Sequence, residues 1–347
     1  MNSAAEGIKP LLNKVAAGHT LSEPEAENAF DIIMSGDATP AQIGAFLMAL
    51  RVRGETVDEI TAAARIMRSK ALMITAPENA IDVVGTGGDA SGTLNISTGS
   101  AIVVAGCGVP IAKHGNRALS SRAGAADVLG ALGVNIDCEM SLIEKSIREA
   151  GIGFMMAPRH HSATRHVAGP RVELATRTIF NILGPLSNPA GVNRLLVGVF
   201  AKEWVEPMAE VLGKLGAEKA WVIHGSDGID ELTTTGPSYV SAYENGKVTN
   251  FEVSPTDAGI PFSKMEDIKG GDAEENATAM TAMLSGEKGA FRDIVIYTAA
   301  AALIVADKAS DLKEGAAIAA DAIDSGKAQQ ALAAMVSITN EGNATAA

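Results

Sequence analysis

Cysteine is almost absent from this 347-residue chain: only Cys107, among small and apolar neighbours, and Cys138 occur. Two thiols cannot build a disulfide framework, so the sequence predicts a reducing, cytoplasmic setting. Aromatic residues are sparse as well, 4% in all with two Trp, three Tyr and eight Phe, which leaves little material for stacking nucleic-acid bases. Positive charge is in deficit. Against 41 Asp and Glu there are 28 Lys and Arg, a formal charge of −13, whereas broad binding to duplex DNA needs a basic surface. Long hydrophobic runs are missing: the longest weakly polar one, 99–112, is too short for the ~20 residues of a membrane span. The opening Met1-Asn2-Ser3-Ala4-Ala5-Glu6 has neither the basic nor the apolar region of a signal peptide, so none is expected.

What remains is an ordinary globular composition, 47% apolar and 20% charged, long enough for roughly two domains. The first 75 residues carry helical signals only. Ile8, Leu11, Leu12 and Val15 recur at helical spacing before Gly18; a second helix is expected over 22–34, and a third from Thr39-Pro40 to Gly54. Thr56-Val57-Asp58-Glu59 reads as a capping box for a fourth. From Ile81 the pattern changes to short β-branched runs at 81–84, 109–112, 152–155, 195–200 and 220–224, alternating with helical stretches. That alternation predicts βαβ units and a mainly parallel sheet. Helices are also expected over 171–183, 293–307 and 312–323, the first of them docking on the opening bundle. The fold class is therefore α/β: a small all-helical N-terminal domain (1–75, joined by a 171–186 helix) and a larger domain (76–347) whose central sheet is flanked by helices.

Three polar loops carry the chemistry. The first, Gly85-Thr86-Gly87-Gly88-Asp89, follows a strand and leads through Thr93, Asn95, Ile96, Ser97 and Thr98 into a helix. Glycines let backbone N–H groups approach a phosphate, and a helix N-terminus adds partial positive charge. Gly85-x-Gly87-x-x-Ala90 formally satisfies the dinucleotide fingerprint, but no acidic residue stands about 20 positions later for a ribose diol. The second loop stands there instead: Lys113-His114-Gly115-Asn116-Arg117-Ala118-Leu119-Ser120-Ser121, rich in donors for an oxyanion. The third holds Asp230-Glu231. Alone such a pair is an ordinary solvated acidic turn; beside a phosphate site it suits Mg²⁺, which takes one or two carboxylates and completes its shell with phosphate and water. Neither zinc spacing, a Gly-x-Ser-x-Gly elbow nor a P-loop occurs, and Cys107 reads as packing inside a small-residue helix.

Together with Arg177-Thr178-Ile179-Phe180-Asn181-Ile182-Leu183-Gly184-Pro185-Leu186 and Ala49-Leu50-Arg51-Val52-Arg53-Gly54-Glu55-Thr56, these segments resemble the anthranilate phosphoribosyltransferases of the tryptophan pathway over nearly the whole chain. That family is related in fold to the pyrimidine nucleoside phosphorylases. The resemblance implies that Gly85, Gly88, Asp89, Thr93, Asn95 to Thr98 and Lys113 to Ser121 surround phosphoribosyl pyrophosphate, with Ala125 contributing backbone only. It implies two Mg²⁺ ions on Ser97, Asp230 and Glu231, anthranilate at Gly85, Asn116 and Arg171, and a homodimer. The acidic balance, the few aromatics and the short apolar runs predict no nucleic-acid or membrane partner. The chain departs from the family pattern in Ala123-Gly124-Ala125, where Ser-Gly-Ser is common, and in Arg122 for the commoner Lys. The implied reaction is displacement at ribose C1 by the anthranilate amine. An aniline-type amine is already neutral at physiological pH, so no acid–base residue is assigned. A nucleoside phosphorylase, or a donor-binding paralogue without anthranilate activity, is the rival expectation.

Overall fold

Three of the four opening helices begin with a capping box, at Ser22, Thr39 and Thr56. In the computed structural model, which describes residues 7–118 and 122–342, the chain opens with α1 (Lys9–Ala16), α2 (Glu23–Ser35), α3 (Pro40–Arg53) and α4 (Val57–Ser69). The capping box of α4 forms as expected: Thr56 Oγ1 accepts the Glu59 N–H at 3.3 Å and the Glu59 carboxylate accepts the Thr56 N–H at 2.9 Å. Buried Glu59 also accepts the Leu21 N–H at 2.9 Å and pairs with Arg53, so one side chain caps α4 and fastens it to its neighbours.

The chain then alternates: β1 (Ile81–Gly85), α5 (Ile96–Gly106), β2 (Ile111–Gly115), α6 (Ala125–Ala131), α7 (Met140–Glu149), β3 (Ile152–Met156), α8 (Ala157–His160), α9 (Arg165–Leu174), α10 (Phe180–Leu183), β4 (Arg194–Gly198), α11 (Val205–Lys214) and β5 (Lys219–Gly225). There follow β6 (Ser238–Glu244), β7 (Lys247–Val253), α12 (Ala273–Leu284), α13 (Ala290–Val305), α14 (Leu312–Asp324) and α15 (Lys327–Thr339). The sheet order is β3-β2-β1-β4-β5-β6-β7, parallel as far as β5. The last two strands form an antiparallel hairpin that the periodicity reading does not contain. Its signal is present all the same, since Asn245-Gly246 at the turn takes φ +52° and +77°, the left-handed pair that a tight hairpin requires.

Three other expectations need correction. The strand expected from Val109 starts two residues later, at Ile111, because Val109 and Pro110 still belong to the turn out of α5. Cys107 is not inside that helix but just past it, half-buried. The helix expected over 171–183 is two pieces. Ala175 takes a left-handed φ of +48° and ends α9, and α10 restarts at Phe180 after the Thr178 N–H finds Asn181 Oδ1 at 2.9 Å. Both pieces pack on the opening bundle, α9 against α2 and α3, α10 against α4.

Side chains alternate across the parallel strands and divide the core in two. Ile81, Val83, Ile111, Leu196 and Ile223 face α5, α13, α14 and α15. Val84, Ala112, Leu195, Val197 and Val222 face the other way, into one apolar mass shared with α2, α3, α4 and α11. The bundle is thus packed on one face of the sheet, and the loops at the C-terminal strand ends emerge beside it.

Candidate active site

Strand order reverses between β1 and β4, and ligands of open α/β sheets bind at the carboxyl ends of the strands at such a point. Gly85 and Gly198 are register partners there. A Cβ on Gly198 would lie 1.6 Å from the Asp230 carbonyl oxygen, and one on Gly85 would lie 2.4 Å from Asp230 Oδ2. Two bare strand ends therefore admit the loop after β5. Once seated, Asp230 Oδ2 accepts the Gly87 N–H at 2.7 Å and Glu231 Oε1 accepts the Ser97 N–H at 2.9 Å. The first and third predicted loops are joined directly.

The first loop turns through Gly87 and Gly88 at φ +65° and +73°, with Ala90 also left-handed at +60°. Its Asp89 closes on Ser91 N at 3.1 Å and reaches the Asp230 N–H at 3.4 Å. Thr93 bridges to Lys269, and the Leu94 and Gly270 N–H groups bond Ile268 O and Gly92 O at 3.0 and 2.9 Å. Asn95 lies between the second loop and α12, donating to Ala123 O at 3.3 Å and accepting from Asn276 at 2.9 Å. Ile96 and Thr98 are buried in the first turn of α5, and Ser97 beside them is half-buried.

In the second loop Lys113 is buried, with Nζ donating to Val83 O at 2.6 Å and lying 3.5 Å from Ser97 Oγ. His114 is buried, its Nδ1 3.1 Å from Gly184 O and its ring edge-on to His161. Gly115 ends β2, and Asn116 and Arg117 are exposed. Arg117 is directed at Asp127, at 3.0 Å, and the same Asp127 carboxylate takes the Ala118 and Gly124 N–H groups at 2.9 Å each. Ala125 starts α6, and Arg122 lies 3.7 Å from Glu275. Leu119, Ser120 and Ser121 lie outside the described residues.

Electrostatically the centre is loaded with carboxylate. Burial, then the nearby Asp89 charge, pushes Asp230 up to about 7. Burial, then Asp230, raises Glu231 well above the carboxylate range against the pull of Lys113. The buried Lys113 ammonium is lowered by desolvation and supported by Asp82, Glu231 and Asp230. Two hard carboxylates and the Ser97 hydroxyl side by side fit Mg²⁺ in chemistry, and the excess of buried negative charge is what a divalent cation would relieve. Among the described residues no cluster of three or more His, Cys, Asp or Glu side chains could hold a metal by itself.

Arg171, half-buried on α9, stacks over the Phe180 ring at 5.5 Å. The sequence reading gave no role to Arg177, which reaches from the break after α9 to donate to Gly88 O while stacking 4.2 Å over Phe200. Nor did it single out Lys269 or Asn276, which tie down the first loop from a segment without motif character. A charged residue closing a helix break was the available signal for Arg177; for the other two no local signal exists.

Comparison with known proteins follows the same lines. The family described as glycosyl transferase family, a/b domain, matches residues 77–329, and its helical bundle domain matches 9–71. An anthranilate phosphoribosyltransferase of Rhodospirillum rubrum is 63% identical over 336 residues, covering 97% of each chain. Among solved structures, the Thermus thermophilus anthranilate phosphoribosyltransferase is 42% identical, with a TM-score of 0.90 over 95% of this chain and 99% of its own. The Saccharomyces cerevisiae protein, solved in complex with PRPP and Mg, is 27% identical with a TM-score of 0.88 over 98% and 99%.

Proposed function

The chain belongs to the anthranilate phosphoribosyltransferase family, and from that membership we propose how its loops divide the work. The enzyme transfers the phosphoribosyl group of 5-phosphoribosyl 1-pyrophosphate to the amine of anthranilate, releasing pyrophosphate, in tryptophan biosynthesis. The observation that carries the site reading is the pair of bonds from Gly87 N and Ser97 N to Asp230 and Glu231, which makes one crevice of two loops.

In this reading Gly85, Gly88, Asp89, Thr93, Asn95 to Thr98 and Lys113 to Ser121 hold the donor, with the backbone of Ala125. Without side chains, Gly85 and Gly88 let phosphate oxygens approach the backbone, and the exposed Arg117 exchanges Asp127 for phosphate. Ser97, Asp230 and Glu231 hold two Mg²⁺ ions. Bound there, magnesium would neutralise charge developing on the departing pyrophosphate. Arg171 meets the anthranilate carboxylate; Gly85 and Asn116 complete that end. With a neutral amine as nucleophile, the protein contributes alignment of two substrates more than proton transfer. The helical unit, 1–75 with the 171–186 segment, and the 76–347 unit close on one another, Arg171 moving with the first. A homodimer in the cytoplasm completes the reading, the pairing implied by the family resemblance and the setting by the scarcity of cysteine. No helix among the described residues is long and apolar enough to cross a membrane.

The test is the double substitution Asp230→Asn and Glu231→Gln, assayed by loss of anthranilate fluorescence across a magnesium titration. Turnover falls steeply at limiting Mg²⁺ and recovers in part with excess metal. Wild-type activity with unchanged metal dependence removes these residues from the metal site.

A further inference from the structure

Parallel pairing between β1 and β2 is confined to Ile81 and Ile111, whereas β1 and β4 pair along all of 81–85. Beyond that first pair the strands part, and the backbone groups that would have formed the ladder find side chains. The Val83 carbonyl accepts from Lys113 Nζ at 2.6 Å, and the Ala112 carbonyl accepts from Asn188 Nδ2 at 2.8 Å. The His114 N–H donates to the Asp82 carboxylate at 3.3 and 3.4 Å, and Asn188 Nδ2 also donates to Asp82 Oδ2 at 2.7 Å.

The seam is pinned from both faces of the sheet. Lys113 closes it on the α5 side, next to Ser97, while Asp82 and Asn188 close it on the side of the helical bundle. Asn188 is itself fixed, its Oδ1 taking the Ala190 N–H at 2.8 Å. Asp82 and Asn188 are 0% and 1% exposed, so neither faces solvent. A buried carboxylate in an apolar parallel strand is costly, and an isoleucine or valine at 82 would let the ladder close. Nothing in the transfer reaction uses Asp82 or Asn188.

We propose that Asp82 and Asn188 are positioning residues, which hold the end of β2 away from β1 and thereby aim the 113–117 loop at the phosphoribosyl donor. The inference rests on the reading of that loop as the donor site. Without the clamp, His114 N–H returns to the Val83 carbonyl as in an ordinary parallel pair and displaces the Lys113 ammonium from it. The loop that follows then shifts with the strand end.

The experiment measures both Michaelis constants, and calorimetric binding of phosphoribosyl pyrophosphate with Mg²⁺, in Asp82→Asn and Asn188→Ala. Each variant raises the donor KM on the order of tenfold or more, as expected for a site displaced by a fraction of an ångström to an ångström. The anthranilate KM, whose site shares only Asn116 with that loop and keeps Gly85 and Arg171 in place, rises clearly less than the donor KM, and the melting temperature stays within a few degrees. The second variant keeps the carboxylate and so retains a test if the first does not fold. Both Michaelis constants rising together with a large fall in Tm, or a donor KM unchanged in both variants, overturns the proposal. Lys113→Met separates the two levels of argument. If it leaves donor binding intact, the donor-loop reading falls and this inference with it; if it weakens donor binding while neither clamp variant does, only the clamp falls.

Discussion

Gly198→Ala puts the junction of the strand ends under the most direct load. The new methyl would sit 1.6 Å from the Asp230 carbonyl oxygen and 2.6 Å from its carbon, where ordinary contact begins at 3.4 Å. The obstruction is backbone, so no rotamer relieves it, and the loop must retreat by about 2 Å. The loop is also tethered by the Gly225 N–H to Ile229 O at 2.9 Å and the Thr233 N–H to Ser238 Oγ at 2.9 Å, so the retreat falls on Asp230 and Glu231. Misplacing a reacting constellation by 1 Å costs on the order of a hundredfold in rate, equivalent to about 2.7 kcal/mol of barrier. Overpacking by one methyl costs about 1–3 kcal/mol of stability, a few degrees in a chain of this length. The variant should therefore fold, melt slightly early, lose about a hundredfold or more in kcat/KM, and need more Mg²⁺ for half-saturation. Initial rates across a magnesium titration, with a melting curve on the same preparation, decide the matter. Gly130→Ala is the control, because a Cβ there meets nothing within 4 Å. If Gly198→Ala keeps its rate within about threefold at limiting magnesium, these glycines do not seat the Asp230-Glu231 loop for catalysis.

Arg171→Ala should raise the KM for anthranilate far more than that for the donor; equal shifts would remove Arg171 from the acceptor site. His161→Gln addresses acid stability. Burial drives His161 down to about 4 and His114 to about 3, so near pH 6.5 and below the unfolded chain binds protons that the fold refuses. These two groups favour the fold above about pH 6.5 and that contribution fades as pH falls, by about 1 kcal/mol for each at pH 5.5. Asp82, which burial raises to about 6, works in the opposite sense over the same range. The difference between wild type and variant isolates the imidazole: between about pH 7.5 and 5.5, His161→Gln should lose less in Tm, and an equal or greater loss refutes the assignment.

Elements with local causes were legible in the sequence. The four opening helices follow caps and apolar spacing, and the first five strands are β-branched runs between turn residues. The glycine-rich and lysine-histidine loops stand out in the sequence because glycines and hydrogen-bond donors cluster within a few positions, and the first of them meets the Asp230-Glu231 loop in the structure. The 171–183 stretch went astray because helix propensity holds across Ala175, while the tertiary structure needs a break there to bring Arg177 to the Gly88 carbonyl. The hairpin of β6 and β7 escaped a search for apolar runs because β7 is largely exposed and reads as polar.

Non-local causes were not legible, and Asp82 shows why. In the sequence it is one acid in an otherwise apolar run, 81–84, and the strand assignment holds whichever way its side chain is satisfied. Its partners come from 32 and 106 positions away, on β2 and after α10. Spacing cannot foretell such a match, yet the physics narrows it: a carboxylate in a buried parallel strand must find donors, and the nearest are the ladder N–H groups of a neighbouring strand. Taking those donors means the ladder cannot close there. A charged residue inside a buried strand therefore predicts a parted sheet, and a sheet parted at its carboxyl end, beside the switch point, is where a loop can be turned toward a ligand.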